Sequence, residues 1–413
     1  MVTQPLRDEL DPKTRLLVIQ YGCYADAAER FQRGGGETYF AQRYTVDFLA
    51  DVARHVARVT VLSYGTSYPR RRLHNGVYVV GSELYPPGRG VQARLAHLAL
   101  LRVAQRERPT HIAVACPEPT VLAWALMQRA RTFAVFADSF TRASRGARLK
   151  YRALAGLLNR PGVAWVSNHN LAASLDLARI GVRPEKVVPF DWPPTIRAAD
   201  NPPKTLRREG PFRVVYVGMM LESKGVGDAI RAVDMLRRGG REVELSLVGG
   251  TSPTLVAEVA RLGLDAHVHF LGKRPHAHIV PLMSEHDAVL VPTRHEYPEG
   301  LPMTIYEGLC SRSPVVFSDH PMFAWRMRDG VTGVRFQAGS ADALARAVER
   351  LMDDPVLYAA LSASAEDTTR DYLCPVKWDQ LYRALLSTRR ATRESIAPYA
   401  LARGHYGDLP LAG

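Results

Sequence analysis

The sequence is poor in cysteine and has no long apolar run. Its four cysteines are widely separated along 413 residues: Cys23, Cys116, Cys310 and Cys374. Because they form no Cys-x-x-Cys pair, they indicate neither a disulfide framework nor a zinc knuckle. No stretch approaches the roughly 18 apolar residues that span a bilayer. Residues 1–14 carry three acidic side chains and no apolar segment, so we expect no signal peptide and a cytoplasmic protein.

Acidic residues are the minority among the charged ones. Lysine and arginine number 54 against 41 aspartates and glutamates, which gives a formal net charge of +13. The segment from Arg94 to Arg160 contains twelve basic and only three acidic residues. These charges either form solvated helix faces or attract an anionic partner, such as a lipid-linked diphosphate or the inner face of a membrane. We expect no nucleic acid partner, because the segment lacks a recognisable nucleic-acid module and interleaved aromatic residues.

Internal repeats are also absent, and strand-like and helix-like stretches alternate instead. We predict a strand over 15–21, a helix from Glu37 to about His55, and strands over 58–64, 111–115, 133–137 and 163–167. A second series begins at Phe212, after two proline-rich breaks. This α/β pattern predicts two parallel, doubly wound sheets. The expected segments are a first domain over 1–200, a linker over 201–211, a second domain over 212–376, a helix over 377–395 and a loosely held tail over 396–413.

Two carboxylates stand eight residues apart, Glu299 in a predicted loop and Glu307 in a predicted helix that begins near Thr304. A short buried strand is predicted immediately before the loop. A helix N-terminus favours anions, so a diphosphate bound there would lie within reach of both carboxylates. A capping box between Thr304 and Glu307 is an equal alternative for the helix start, but it leaves Glu299 unexplained.

The Glu-x7-Glu pattern, followed by Ser313-Pro314 and an apolar run over 315–317, resembles the C-terminal domain of the family-4 retaining glycosyltransferases, of the group 1 type. Further motifs in the family's order lie at 213–218, 222–225, 243–250 and 268–272. The resemblance implies the GT-B architecture. In that architecture two Rossmann-like parallel-sheet domains face a cleft, and a C-terminal helix crosses back to the first domain.

The resemblance also implies roles for individual residues. Glu307 would hold the ribose hydroxyls of a nucleotide-diphosphate-sugar donor, Glu299 the donor sugar, and Lys224 the diphosphate. The implied donor site as a whole contains Gly218, Lys224, Gly249, Gly272, Lys273, Arg274, Gly300, Leu301 and Glu307.

Lys224 is predicted to enter the first turn of a helix, where its charge opposes the helix dipole unless an anion lies nearby. Either Glu222 supplies that anion or, as the resemblance implies, the donor diphosphate does. Many family members carry an arginine where Met219 stands in this sequence. Either Lys224 and the loop amides suffice, or another cation replaces that arginine; the candidates are Lys273, Arg274 and Arg294.

In the first half of the chain, Gly34, Gly35 and Gly36 are predicted to close a loop and open the first helix. Glycines there allow close backbone approach to phosphate or acceptor, although they also suit a simple turn. In the resembled family such a loop faces the cleft, opposite the donor phosphates and on the side of the acceptor. Where many relatives have a histidine beside the reacting sugar, this chain has Asp138, which is a candidate catalytic residue. His169 is either a nearby candidate or a structural histidine.

The sequence therefore predicts a retaining glycosyltransferase of hexosyltransferase type, with Glu299, Lys224 and Asp138 as its catalytic residues. Its acceptor would be an unknown hydroxyl in polysaccharide, glycolipid or glycoconjugate synthesis. No cofactor or metal is expected, because the chain contains no Asp-x-Asp pair. Two alternatives stay open at this point. One is another GT-B enzyme, either a sugar-nucleotide epimerase or a phosphorylase, and the other is a non-catalytic basic protein that binds membrane or nucleic acid.

Overall fold

Two α/β units make up the chain in the computed structural model. Unit 1 consists of Met1–Pro193 and Cys374–Gly413, and unit 2 consists of Pro194–Leu373. The structure describes residues 6–38, 40–64, 68–82, 100–140, 144–207, 209–300, 302–323 and 326–406. Unit 1 therefore uses both ends of the chain, with unit 2 inserted between them.

Unit 1 contains an eight-stranded sheet. Its strands are β1 (Arg15–Tyr21), β2 (Arg58–Tyr64), β3 (Arg71–Arg72), β4 (Tyr78–Ser82), β5 (His111–Ala115), β6 (Arg131–Phe136), β7 (Val163–His169) and β8 (Val187–Phe190). They lie in the order β3-β4-β2-β1-β5-β6-β7-β8, and only β3 and β4 pair antiparallel. Leu16 to Ile19 of the central β1 are all buried, as expected for a parallel sheet that is covered on both faces.

Five helices connect these strands: α1 (Tyr24–Gln32), α2 (Gln42–Ala53), α3 (Pro119–Met127), α4 (Arg145–Leu158) and α5 (Leu171–Arg179). A further helical segment covers 100–106. The predicted loop after β1 is wrong, because α1 occupies it, with Cys23 Sγ accepting a hydrogen bond at the N-cap. The predicted helix start at Glu37 is also wrong, because α2 begins at Gln42.

Unit 2 contains a six-stranded parallel sheet. Its strands are β9 (Phe212–Val217), β10 (Val243–Val248), β11 (Val268–Gly272), β12 (Ala288–Val291), β13 (Val315–Ser318) and β14 (Val334–Phe336). They lie in the order β11-β10-β9-β12-β13-β14. Its helices are α6 (Val226–Arg238), α7 (Pro253–Leu262), α8 (Ile279–Ser284), α9 (Met303–Cys310), α10 (Ala341–Asp353) and α11 (Pro355–Tyr372).

The predicted linker over 201–211 is part of unit 2. Lys204 donates hydrogen bonds to Ser284 O at 2.9 Å and to Ser313 Oγ at 2.9 Å. Arg207 binds both carboxylate oxygens of Asp287, at 2.9 and 2.6 Å. Proline breaks the regular structure here, as the sequence indicates, but these polar contacts attach the segment to the unit 2 surface.

The C-terminal segment returns to unit 1 and forms α12 (Trp378–Leu386) and α13 (Arg390–Glu394). The ring of Trp378 packs against Tyr382 and Phe48, with centroid distances of 4.1 and 5.5 Å. The expectation of a loose tail from residue 396 is wrong for the part that the structure describes, because Ile396 and Leu401 are buried in the unit 1 core.

Asp191, just after β8, connects the outgoing and returning parts of the chain within unit 1. Its backbone N–H donates to Val376 O at 3.0 Å, and its carbonyl accepts from Trp378 N–H at 3.0 Å. Its carboxylate also accepts a hydrogen bond from Cys374 N–H. Among the described residues, the structure contains no helix that is both long and apolar enough to cross a membrane.

Candidate functional site

The order of strands in unit 2 creates a topological switch point between β9 and β12. The chain runs outward from β9 through β10 to β11 and then crosses to β12 on the other side of β9. Loops at the carboxyl ends of two such strands diverge to opposite faces and leave a crevice, which is where ligands bind in open α/β sheets. The loop after β9 carries Lys224, and the loop after β12 carries Glu299.

These two loops are fixed to each other through their backbones. Arg294 N–H donates a 3.0 Å hydrogen bond to Ser223 O. Gly225 has a φ of 74°, and a Cβ at this position would lie 2.0 Å from Pro292 O. Only glycine allows both this dihedral angle and this approach. The relative position of Lys224 and Glu299 is therefore set by backbone packing.

Lys224 and Glu299 form a buried ion pair in the crevice, Nζ with Oε2. The lysine side chain is 13% exposed and the glutamate side chain 9%. Thr293 Oγ1 donates a 3.2 Å hydrogen bond to the same carboxylate oxygen. The ammonium also lies 4.2 Å from the centroid of the Tyr297 ring, a cation–π distance. The structure therefore brings together two of the three residues that the sequence selects as catalytic.

The prediction that Lys224 enters the first turn of α6 is wrong. Lys224 ends a 3-10 turn over Glu222–Lys224, one residue before the left-handed Gly225. The alternative in which Glu222 is its partner is also wrong, because Glu222 binds Arg231 at 3.0 Å and Arg294 at 2.6 Å. The carboxylate that neutralises Lys224 is the distant Glu299.

Arg294 belongs to an ionic network behind the site. Its guanidinium donates to both oxygens of the buried Asp228 at 2.7 Å. Burial works to raise the pKa of Asp228, but hydrogen bonds from Arg294 and Arg231 hold that pKa below its usual value. The same bond to Asp228 is the largest cause of a raised pKa for Arg294. Since Arg294 is committed to these carboxylates, it is a poor replacement for the arginine missing at Met219.

Glu307 lies on α9 and is buried, with 7% of its surface exposed. Its Oε1 is hydrogen bonded to His276 Nε2 at 2.8 Å. The capping-box alternative is wrong, because Pro302 is the N-cap and makes no side-chain cap bond. Thr304 Oγ1 donates instead to Val217 O at 3.4 Å. The hydrogen bond with His276 therefore positions the Glu307 carboxylate. The start of α9 does not depend on Glu307.

Three predicted glycines lie next to one another at the carboxyl ends of β9, β10 and β11. Gly218 N–H donates to Val248 O at 2.9 Å, and Gly249 N–H donates to Gly272 O at 3.1 Å. A Cβ on Gly249 would lie 2.1 Å from Gly218 O. These glycines allow close packing of adjacent strand ends, and two of their N–H groups are already used within the sheet.

His320, after β13, contacts the loop that carries Glu299. Its Nε2 lies 3.2 Å from Tyr297 O, and its Nδ1 accepts a 3.2 Å hydrogen bond from Met322 N–H. Burial lowers the pKa of His320 to about 4, and the charge of Lys224 acts in the same direction. The ring is therefore neutral at pH 7, and its Nε2–H donates to the Tyr297 carbonyl.

The remaining donor-site candidates lie at the rim. Lys273 and Arg274 are exposed directly after β11, and Gly300 is half-buried beside Glu299. Leu301 lies outside the described residues. Over the described ranges, no group of three histidine, cysteine, aspartate or glutamate side chains is placed to hold a metal ion.

The glycine loop of unit 1 has different surroundings from those predicted. Gly34 to Gly36 follow the C-terminal end of α1, and Gly34 and Gly35 N–H donate back to Phe31 and Arg30 carbonyls. They therefore do not open α2, and two of the three N–H groups are unavailable to a phosphate. The backbone of Asp138, after β6, pairs with the Asn168 side chain.

His169 is enclosed in the core of unit 1. Its Nε2 lies 3.0 Å from Asp191 Oδ1, and its ring centroid lies 4.4 Å from that of Trp192. This environment favours the structural alternative for His169.

Sequence reasoning missed four residues of the site: Thr293, Tyr297, His276 and His320. Thr293 and Tyr297 lie in the same loop after β12 as Glu299. Because ligands bind at the carboxyl ends of parallel strands, a search of this loop could have included them. His276 lies four residues after the end of β11, and His320 lies two residues after the end of β13. Nothing in the local sequence distinguishes these two histidines from exposed ones.

Residues 198–368 match a family model described as Glycosyl transferases group 1. The chain is 32% identical over 154 residues to an Alpha-D-kanosaminyltransferase of Streptomyces kanamyceticus, which covers 37% of this chain and 39% of that protein. It is also 32% identical over 150 residues to a Glycogen synthase of Mycobacterium tuberculosis, which covers 36% of each. The chain thus spans less than two fifths of the length of these curated relatives.

Solved structures resemble most of both units. The Anabaena HepE protein in complex with UDP superimposes with a TM-score of 0.62 at 17% identity, covering 87% of this chain and 96% of that one. Sucrose-phosphate synthase from Thermosynechococcus elongatus gives a TM-score of 0.63 at 16% identity, covering 89% and 96%. At such identity the likeness concerns the fold. The chain therefore has the GT-B fold, and its residues 198–368 match the group 1 glycosyl transferases.

Proposed function

We propose that the protein is a retaining, metal-independent glycosyltransferase that moves a hexose from a nucleotide-diphosphate-sugar to a hydroxyl acceptor. The observation that carries the proposal is the switch point of unit 2, where Lys224 and Glu299 pair between two loops and the buried Glu307 lies on α9, the helix that follows the second loop. The matched segment 198–368 contains all three residues. The UDP complex of the structural neighbour HepE supports a nucleotide as one part of the ligand.

In this proposal each charged group has a separate task. Glu307, held by His276, accepts hydrogen bonds from the ribose hydroxyls of the donor. Glu299 accepts hydrogen bonds from hydroxyls of the donor sugar. The Lys224 ammonium stabilises the negative charge that develops on the diphosphate as the bond to the sugar breaks. A lysine placed in this way supplies the positive charge that a divalent cation supplies in metal-dependent transferases.

Glu307→Gln tests the nucleotide part of the proposal. We expect binding of the cognate nucleoside diphosphate to weaken by about 1.5–3 kcal/mol, since a hydrogen bond to a charged group has that magnitude. Isothermal titration calorimetry with UDP, GDP and ADP measures the change. The fold should persist, because the N-cap of α9 does not depend on Glu307.

Glu366→Gln is the matched control. Glu366 is also an ion-paired glutamate of unit 2, bonded to Arg312 at 2.9 Å, but it lies on α11. This variant should bind the nucleoside diphosphate like the wild type. If Glu307→Gln also binds it like the wild type, Glu307 serves only to hold His276, and its proposed role is wrong.

For the acceptor we propose an anionic or membrane-anchored molecule, and the supporting observation is the surface of α4. This helix carries Arg145, Arg148, Lys150 and Arg152 and no acidic residue. Leu149 lies among them and is 71% exposed. Basic side chains around an exposed leucine suit an anionic lipid surface. Two basic residues of the same sequence segment, Arg94 and Arg142, lie outside the described residues.

Replacing Arg145, Arg148 and Arg152 together with glutamine should release the protein from anionic vesicles. Each basic residue near an anionic bilayer contributes about 1 kcal/mol, so three replacements should weaken binding about a hundredfold. Co-sedimentation with phosphatidylserine vesicles at low salt measures this. Glutamine at Arg238, Arg261 and Arg346 of unit 2 is the control. If both triple variants bind alike, or if the wild type ignores anionic vesicles, α4 is a solvated face and the proposal is wrong.

A further inference from the structure

Lys224 is fully neutralised by the protein itself. Its ammonium contacts the Glu299 carboxylate on one side and the Tyr297 ring, at 4.2 Å, on another. Both members of the pair are nearly buried. Lys224 is therefore already paired before a diphosphate binds. A diphosphate must compete with the Glu299 carboxylate for the Lys224 ammonium.

The backbones of the two loops contact each other close to the pair. Arg294 N–H is bonded to Ser223 O, and its guanidinium holds Asp228 at the start of α6. Gly225 is packed against Pro292 O. While these backbone contacts persist, a diphosphate that binds Lys224 arrives beside the Glu299 carboxylate. The remaining protein partner at its Oε2 is the Thr293 hydroxyl at 3.2 Å.

A buried carboxylate that loses its cation is strongly unfavourable unless new donors reach it. The two ligands of the proposed reaction differ in what they provide. A nucleotide-diphosphate-sugar brings sugar hydroxyls, each of which can donate a hydrogen bond to Glu299. A free nucleoside diphosphate, the product, brings phosphate oxygens alone at this end, and these repel the carboxylate.

We propose that the Lys224–Glu299 pair makes the site discriminate against the nucleoside diphosphate product in favour of the nucleotide-sugar substrate. The inference rests on the proposed function and adds selectivity to the same site. Glu299 acts as a specificity-determining residue: it penalises any diphosphate that arrives without a sugar. The pair re-forms when the sugar has been transferred, and this favours departure of the product.

Glu299→Gln tests the inference in the full-length protein. Glutamine keeps the size of the side chain and can still accept the Thr293 hydrogen bond, but it removes the charge that competes for Lys224. We expect affinity for the free nucleoside diphosphate to rise about tenfold or more, a change of one decade in Kd. Affinity for the matching nucleotide-sugar should not rise. The probes are UDP, GDP, ADP and TDP with their glucose conjugates, measured by calorimetry.

A double-mutant cycle with Lys224→Met shows whether the gain acts through the lysine. In the Lys224→Met background, Glu299→Gln should give no comparable gain for the diphosphate, because no ammonium remains to be released. Melting temperatures establish whether all four proteins are folded. If Glu299→Gln does not fold, diphosphate binding by the Lys224→Met protein is compared with that of the wild type.

Three results would overturn the inference. These are an unchanged or weakened diphosphate affinity in Glu299→Gln, an equal gain for diphosphate and nucleotide-sugar, and a gain that persists without Lys224. Each can occur in a protein that binds nucleotide-sugars and transfers sugar, so the proposed function would stand. A wild-type protein that binds none of the probes would instead overturn the proposed function and this inference with it.

Discussion

Lys224→Met should lower kcat/KM for sugar transfer by about a thousandfold. Removing one preorganised group that stabilises developing negative charge typically costs 10²–10³ in rate, and a full charge in a nearly buried site should lie at the upper end. The loss should appear mainly in kcat if the lysine acts on the leaving diphosphate. Steady-state kinetics with the nucleotide-sugar selected by the binding panel measures it.

Lys273→Met and Arg274→Met are the comparison variants, because both side chains are exposed cations that directly follow β11, the second strand from β9 in the same sheet. We expect a much smaller loss for either one. A loss in one of them as large as that of Lys224→Met would identify the cation that replaces the missing arginine at Met219. EDTA should leave the wild-type rate unchanged, and a strict magnesium or manganese requirement would contradict the role given to Lys224.

Arg312→Met should destabilise unit 2 by about 3–5 kcal/mol, the range for breaking a buried charged network. Arg312 is 4% exposed, and its guanidinium donates to Ala198 O at 2.9 Å and Asn201 O at 3.1 Å. It also donates to Ala363 O at 3.1 Å and to Glu366 at 2.9 Å. Methionine fills a similar volume but cannot donate a hydrogen bond to any of these oxygens. Differential scanning calorimetry, which can resolve transitions of separate units, measures the change.

Arg346→Met provides the control for this prediction. Arg346 pairs with Asp342 on the surface of α10, and both side chains are more than half exposed. An exposed pair of this kind contributes about 0.5 kcal/mol or less. Equal destabilisation by the two substitutions would show that the Arg312 contacts contribute no more than a surface ion pair.

The parallel strands and the residues at their carboxyl ends could be predicted because they depend on local patterns. Apolar runs such as 111–115 and 163–167 coincide with β5 and the start of β7. Glu299 and Lys224 could be predicted because each belongs to a short motif in the loop that follows a strand. Strand ends in a parallel sheet meet at one edge, so the order of elements already places such residues together.

What the sequence could not predict are contacts that depend on distance in space. The partner of Lys224, Glu299, is 75 residues away in the sequence. Glu222 is also a glutamate and is only two residues away. The choice between them is made by the packing of Gly225 against Pro292, which no local pattern encodes. Helix α1 was missed because its nine residues were assigned to a loop that ends in three glycines.

The position of Asp191 has a consequence for how this chain can be rearranged. Its hydrogen bonds to Cys374, Val376 and Trp378 hold the exit from unit 1 and the re-entry to it side by side. All eight strands of unit 1 precede the exit, so none of them is interrupted by the insertion. Unit 2 is thus an insertion in unit 1, and the two ends of the insertion connect to neighbouring backbone positions of unit 1. Two cuts, near Pro193 and Cys374, would suffice to exchange unit 2 for another unit of the same fold, while the sheet of unit 1 remains covalently intact.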